Sequence, residues 1–147
     1  MSYTPALKKI QAYDLCFWMS YLVVRFKVYI GEYQRKITEE FNIADIKANH
    51  YIFAQEKQVI GIARVIYKDG IAELGRITIA KEYRNQGYGK ELMKELLKVV
   101  SNSKKAKIVR LFLADEALAG FYHQFGFIEN GEAYFYNIPY IRMVKVL

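Results

Sequence analysis

The residues of this chain whose types and spacing could do chemistry cluster in "RNQGYGK", Arg84 to Lys90. Two glycines stand there between the β-branched run "ITIA" and the helical rhythm of "KELMKELLKVV". The first amides of a helix have no partner inside it, and the helix dipole favours negative charge at that end. Gly87 and Gly89 remove the Cβ atoms that would keep an anion away from those amides. Arg84 and Lys90 flank them as cations, and an arginine can grip a phosphate through two donors. The chemistry this predicts is the binding of a phosphate group. Two common phosphate patterns are excluded. The chain lacks the Gly, four residues, Gly-Lys-Ser/Thr of nucleotide hydrolases. Leu92 stands where a dinucleotide fingerprint needs its third glycine. At this point a tight strand-to-helix turn with no ligand remains an alternative.

Such a loop needs a strand before it and a helix after it. Leu92, Leu96, Leu97 and Val100 recur at helical spacing. Upstream, "HYIFAQ" and "VIGIARVIYK" predict a hairpin around "EKQ", and "KDG" (68–70) predicts a second turn. "IAELGRITIA" is then the third strand of an antiparallel meander. "KIVRLFLA", Lys107 to Ala114, is a continuous apolar run, as expected of a strand covered on both faces. "EALAGFYHQF" puts Leu118, Phe121, Tyr122 and Phe125 on one helical face, and "EAYFYNIPYIRMVKVL" supplies one or two closing strands. Near the start, Leu15 to Ile30 predicts a mostly buried helix capped by Asp14. "EYQRKITEEFNIADIKAN" predicts a loop with short helical pieces. The order predicts an α/β (α+β) fold, a mixed sheet with helices on its faces, in one domain spanning 1–147.

Composition narrows the class. With 53% apolar and 25% charged residues in 147, the chain can bury a core without disulfides or metal. Cys16 is the sole cysteine, and His50 and His123 are the only histidines, so we expect neither a disulfide nor a metal site. The net charge of +7 could serve nucleic acid, an anionic membrane or a small anion. Much of the excess sits in "KKAK" and "KELMKELLK", which read as solvated faces. Aromatic and basic residues do not interleave recognisably, so no nucleic-acid partner is expected. Arg25 and Lys27 interrupt the apolar stretch from Leu15 to Ile30, short of the ~20 residues a membrane span needs, so no membrane partner is expected either. "MSYTPALKKI" reads as carrying no export signal, so a cytoplasmic protein is expected.

"RNQGYG", Arg84 to Gly89, resembles the Arg/Gln-x-x-Gly-x-Gly/Ala loop of the GNAT superfamily of acyl-CoA-dependent N-acetyltransferases. "ITIAKEYR" resembles that family's strand and lead-in, and "FYHQFGF", Phe121 to Phe127, its Tyr-x-x-x-Gly-Phe helix end. "RFKVYIGEYQ", "EFNIAD" followed by "HYIFA", and "GEAYFYNIPYIRM" are similar to segments of the ElaA/YjcF-like branch. The resemblance covers nearly the whole chain. It implies a mostly antiparallel central sheet with a splayed strand pair that admits the donor.

The resemblance also implies acetyl-CoA, or a close acyl-CoA, as donor and an amine as acceptor. The pyrophosphate would sit on the amides from Gln86 to Lys90, that is Gln86, Gly87, Tyr88, Gly89 and Lys90, with Arg84 and Asn85 alongside. The pantetheine arm would run beside Ile77, Thr78 and Ile79 like an added strand. An N–H near Ile79 would hold the thioester oxygen as it gains charge. Tyr122, matching the family's tyrosine, would give the leaving thiolate a proton or a hydrogen bond; the alternative is a core aromatic on an amphipathic helix. The acceptor amine must be neutral to attack, so a base or a water chain must take its proton. Glu73, Glu32, Asp45 and His50 are the candidate bases, although each carboxylate also reads as a solvated or capping group and His50 as a structural hydrogen-bonder. Two residues depart from the family's pattern. Asp115 stands seven residues before Tyr122, where the family has Asn or Gln, so an amide donor to the pantetheine arm is lost. Asn42 stands where the branch has Asp.

Three other readings compete: an acyl-CoA-binding module of the same fold without efficient catalysis, an acyl-homoserine-lactone-synthase-like enzyme, and a nucleic-acid binder suggested by charge alone. The apolar ending "AYFYNIPYIRMVKVL" could be core or the surface of a homodimer.

Overall fold

The computed structural model describes residues 4–147. The chain runs β1 (Ala6–Lys9), α1 (Leu15–Arg25), a π-helical segment (Phe26–Glu32), α2 (Ile37–Glu40), a 3-10 turn (Ile43–Lys47), β2 (Asn49–Gln55), β3 (Gln58–Lys68) and β4 (Ile71–Ile79). After a 3-10 turn (Lys81–Tyr83) come α3 (Tyr88–Ser103), β5 (Ile108–Leu113), α4 (Ala119–His123), β6 (Ile128–Phe135) and β7 (Ile138–Val146). The strands form a seven-stranded sheet in the order β1-β2-β3-β4-β5-β7-β6. β4 and β5 are parallel, whereas β1–β2, β2–β3, β5–β7 and β6–β7 are antiparallel, as the mixed fold predicted. Contacts group the chain into two compact units, one of residues up to Ile66 with Arg76–Val99, the other of Tyr67–Gly75 with Val100–Leu147.

In the first unit the β2–β3 hairpin forms where the alternation placed it, with Ile52 opposite Ile62 and Phe53 opposite Gly61. A strand's side chains alternate faces. Ile52, Ala54 and Ile62 join Tyr21, Val24, Val28 and Tyr29 in one buried cluster. On the other face Phe53 meets the Tyr88 ring at 6.4 Å. A Cβ on Gly61 would lie 2.8 Å from Thr78 O and 3.0 Å from Leu92 Cδ1. Helices therefore flank both faces, α1 on one side and α3 on the other. β1 escaped the sequence reading because "ALKK" is largely exposed and carries no alternation; it pairs Ala6 with Ala54 through Lys9 with Tyr51.

The first helix differs from expectation in three respects. It ends at Arg25, and Phe26–Glu32 winds more widely, with Tyr33 N–H on Val28 O at 2.9 Å. Asp14 does not cap it: Asp14 Oδ2 accepts the Gln11 N–H behind it at 3.0 Å. Nor is it mostly buried, since Leu15, Met19, Leu22, Val23 and Phe26 are exposed while Arg25 is wholly buried. The segment is apolar nearly all round, so its sequence did not say which face turns inward.

In the second unit Asp69 and Gly70 both take left-handed φ (+50° and +74°), the primed turn that suits a hairpin. β4 then pairs with β5 through Ile71↔Ile108, Ala72↔Val109 and Glu73↔Arg110. The apolar run of β5 alternates instead of being buried throughout: Val109, Leu111 and Leu113 are buried. Phe112, half-buried between them, stacks edge-on against Phe135 at 5.0 Å. The closing segment resolves into two strands, β6 and β7, joined through Tyr136 and Asn137 at φ +51° and +63°. α4 is only five residues long. Its buried side chains are Ala119 and Tyr122, while Leu118 is exposed on the preceding turn, so the predicted face is shifted. Among the described residues no helix is long and apolar enough to cross a membrane.

Candidate functional site

The loop Arg84–Lys90 lies at the end of β4 and opens α3. Asn85 and Gly87 both take left-handed φ, +61° and +85°. Asparagine tolerates that region better than most residues, and glycine without penalty. A Cβ on Gly87 would meet nothing within 4 Å, so glycine is there for backbone freedom rather than for internal space. Lys90 and Glu91 N–H both close on Gly87 O, at 3.1 and 3.3 Å. The amide cradle expected over Gln86–Lys90 thereby narrows to the residues before Lys90. Tyr88 and Gly89 are in the first helical turn, where amides lack an intrahelical partner. Gln86 folds its side chain back, Nε2 donating to Glu82 O at 3.3 Å. Ile77, Thr78 and Ile79 are half-buried on the last stretch of β4.

Arg84 is already engaged. Its Nη1 and Nη2 donate to Glu32 Oε2 and Oε1 at 2.6 and 2.9 Å, and its Nε donates to Ile79 O at 2.9 Å. The hydrogen bonds from Arg84 hold the Glu32 carboxyl below its ordinary range. Glu32 is therefore a weak base. It also lines a cavity of about 530 Å³ together with Met19, Val23, Val28, Val59 and Ala80.

His50 is buried and its ring nitrogens are both used. Nε2 lies 2.9 Å from the Asp45 carbonyl and must donate to it. Nδ1 therefore accepts from the Tyr21 hydroxyl at 2.8 Å. Burial keeps the imidazole below its usual pKa, and pushes Tyr21 up to about 12. His50 is a structural hydrogen-bonder.

Around it lies a charge network that the sequence reading missed. Arg25 Nε donates to Glu40 Oε1 at 2.6 Å, and its Nη1 and Nη2 grip Asp45 at 3.0 Å each. Arg64 Nη1 reaches Asp45 Oδ1 at 2.8 Å, and Arg76 Nε reaches Glu40 Oε1 at 2.7 Å. Arg25 and Glu40 are 1% and 0% exposed, so each charge depends on the other for compensation. Burial alone would raise the Asp45 pKa, but the bonds from Arg25 and Arg64 outweigh it and hold the carboxyl at about 2. Arg76 sits at φ +53° inside β4, a left-handed residue tied down by Glu40. Asn42 completes a capping box: its side chain accepts Ala44 N–H at 3.0 Å while Asp45 Oδ2 accepts Asn42 N–H at 3.2 Å. The "RFKVYIGE" and "EFNIAD…H" segments thus supply Arg25, Glu40, Asp45 and His50 to one buried network. The available signal was the family-like spacing of those residues. Their partners, Arg64 and Arg76, look like ordinary strand cations.

In the second unit, Glu73 Oε2 accepts from Arg110 Nη2 at 2.7 Å, with both side chains about 30% exposed. Tyr122 is buried, its ring edge-on to Phe121 and Phe127 at 5.1 and 6.0 Å. Gly126, at φ +83°, makes the turn after α4. Asp115 accepts Ala117 N–H at 2.9 Å and so caps its own 3-10 turn. Among the described residues no group of three or more His, Cys, Asp or Glu could hold a metal ion.

Comparison with known proteins agrees with this architecture. The family model "Acetyltransferase (GNAT) domain" matches residues 23–147. The uncharacterised Bacillus subtilis protein YyaT is 30% identical over 128 residues, 84% of this chain and 85% of YyaT. Escherichia coli ElaA superimposes with a TM-score of 0.82 at 22% identity, over 95% of this chain and 98% of its own. A GNAT family acetyltransferase from Elizabethkingia anophelis with acetyl-CoA bound superimposes with a TM-score of 0.71 at 14% identity, over 100% of both chains. The chain belongs to the GNAT acetyltransferase family, and as a member of that class it is an N-acetyltransferase.

Proposed function

We propose that this protein moves an acetyl group from acetyl-CoA to a primary amine of a small molecule or peptide, by direct attack of the amine on the thioester. The observation that carries this is the loop Arg84–Lys90: left-handed Asn85 and Gly87 turn the end of β4 into the open first turn of α3. That arrangement suits the donor's pyrophosphate. Pantetheine would follow Ile77–Ile79. The β4–β5 ladder of Ile71–Glu73 with Ile108–Arg110 ends before that stretch, which supports a path for the arm there. Acetyl-CoA in the Elizabethkingia structure supports the same donor here.

In the reaction the amine nitrogen bonds to the thioester carbon, the C–S bond breaks, and the CoA thiolate takes a proton. Tyr122 is the donor of that proton or of the hydrogen bond that replaces it. The proton from the amine goes to a carboxylate or to water. Of the four candidate bases, His50 has no nitrogen to spare, Glu32 is held by Arg84, and Asp45 is held by Arg25 and Arg64. Glu73, with one oxygen on Arg110, is the carboxylate assigned to accept that proton. Asp115 takes no donor role toward the pantetheine arm, since an ionised carboxylate only accepts.

The test is an acetyl-CoA turnover screen by thiol release across amines, amino sugars, polyamines and peptides. Release well above the hydrolysis background with one amine class is expected. Background-level release with every class, from protein that binds CoA, would favour a binding module and overturn the proposal.

A further inference from the structure

The pair Glu32–Arg84 joins two parts of the first unit that the proposed function treats separately. Glu32 is the last residue of the π-helical segment, and Tyr33 N–H on Val28 O fixes that end. Its two oxygens fill both outer nitrogens of Arg84, at 2.6 and 2.9 Å. Arg84 Nε is anchored on Ile79 O, so the guanidinium is turned to present that outer edge. The edge that holds a carboxylate through two parallel bonds is also the edge that holds a phosphate.

We propose that Glu32 is an internal anion standing where the donor's pyrophosphate will bind, so that donor binding exchanges one anion for another on Arg84. The proposal rests on the reading of Arg84–Lys90 as the CoA loop. Both partners are about 30% exposed, so solvent and salt weaken the pair. A doubly bonded carboxylate there tunes donor affinity down without abolishing it. Pyrophosphate carries more charge and also reaches the amides before Lys90, so it wins the exchange. In this role Glu32 sets affinity and takes no part in bond making.

The test is calorimetric titration of CoA, and separately of inorganic pyrophosphate, into wild type, Glu32→Gln, Arg84→Gln and the double variant. Thermal unfolding of each checks that it is folded. Glu32→Gln should bind CoA about two- to fivefold more tightly, the size expected for one exposed pair. Glu32→Ala should do at least as much. Arg84→Gln should bind more weakly, and Glu32→Gln added to it should change nothing further, since the competitor has lost its site. A merely structural Glu32 would weaken binding when replaced. If wild type binds CoA and the Glu32 variants bind equally or more weakly, the exchange is wrong while the donor assignment stands. If wild type binds neither CoA nor pyrophosphate, the loop assignment fails and the exchange fails with it.

Discussion

Tyr122 and His50 are both aromatic side chains that carry a proton, and both are buried. His50 is closed off by Tyr21 and the Asp45 carbonyl, which leaves it no proton to trade. Tyr122 stands on a short helix, framed by Phe121 and Phe127. Tyr122→Phe keeps that packing and removes only the hydroxyl, so thiol release should fall about 10²-fold or more if the hydroxyl is the acid. Unchanged turnover would sink the assignment. Glu40 tests a structural role at the same scale. Glu40→Ala leaves the buried Arg25 and the half-buried Arg76 without their shared carboxylate, a loss of about 3–5 kcal/mol. Urea denaturation should show it as a lower midpoint; a midpoint shift under about 1 kcal/mol would contradict the network. Loop residues such as Gly87 were legible in the sequence because glycine beside Arg and Lys has a local meaning. The network was not, because Arg25, Glu40 and Arg76 meet across 15 and 36 residues of chain and look like surface charges until folded.

Among the elements, β4 carries most of the proposed site, and what shapes it lies on its neighbour. Gly61 of β3 leaves room for Thr78 and Ile79: an added Cβ would stand 2.7 Å from Ile79 Cδ1 and 2.8 Å from Thr78 O. The side chain could rotate away, but the backbone oxygen cannot without moving β4. Gly61→Ala should therefore cost about 1–3 kcal/mol and weaken CoA binding together with stability. Thermal unfolding and a CoA titration of the same sample check it. Full stability with normal CoA affinity would show that β4 is not shaped by this contact. β2, β3 and the turns at Glu56–Lys57 and Asp69–Gly70 were readable from alternation and turn residues. The inner face of α1 was not, because Leu15, Met19, Val23 and Phe26 are as apolar as the residues that are buried.

At the scale of the molecule, acid should act through the first unit. His50 is held below its ordinary 6.5, so its neutral form contributes stability above that pH, lost as pH falls through the folded value. Asp45 is held at about 2 against an ordinary 3.8, so its contribution is present above 3.8 and disappears as pH approaches 2. Allowing for its partial exposure, the Asp45 share is on the order of 1–2 kcal/mol. Unfolding midpoints should fall in two stages, below about 6.5 and again below about 4. His50→Gln should remove the first stage alone, and a first stage that survives it would contradict the assignment. The seven-stranded order follows from elements the sequence largely announced, and the family match runs from residue 23 to residue 147.

Calorimetric titration of CoA into the intact protein bears most directly on the central claim, that Arg84–Lys90 is built for an acyl-CoA donor. One saturable site per chain is predicted, weakened at least tenfold by Gly87→Asp, which forces a carboxylate into the left-handed turn and against the pyrophosphate. No heat of binding, or binding that Gly87→Asp leaves untouched in a folded protein, would contradict it.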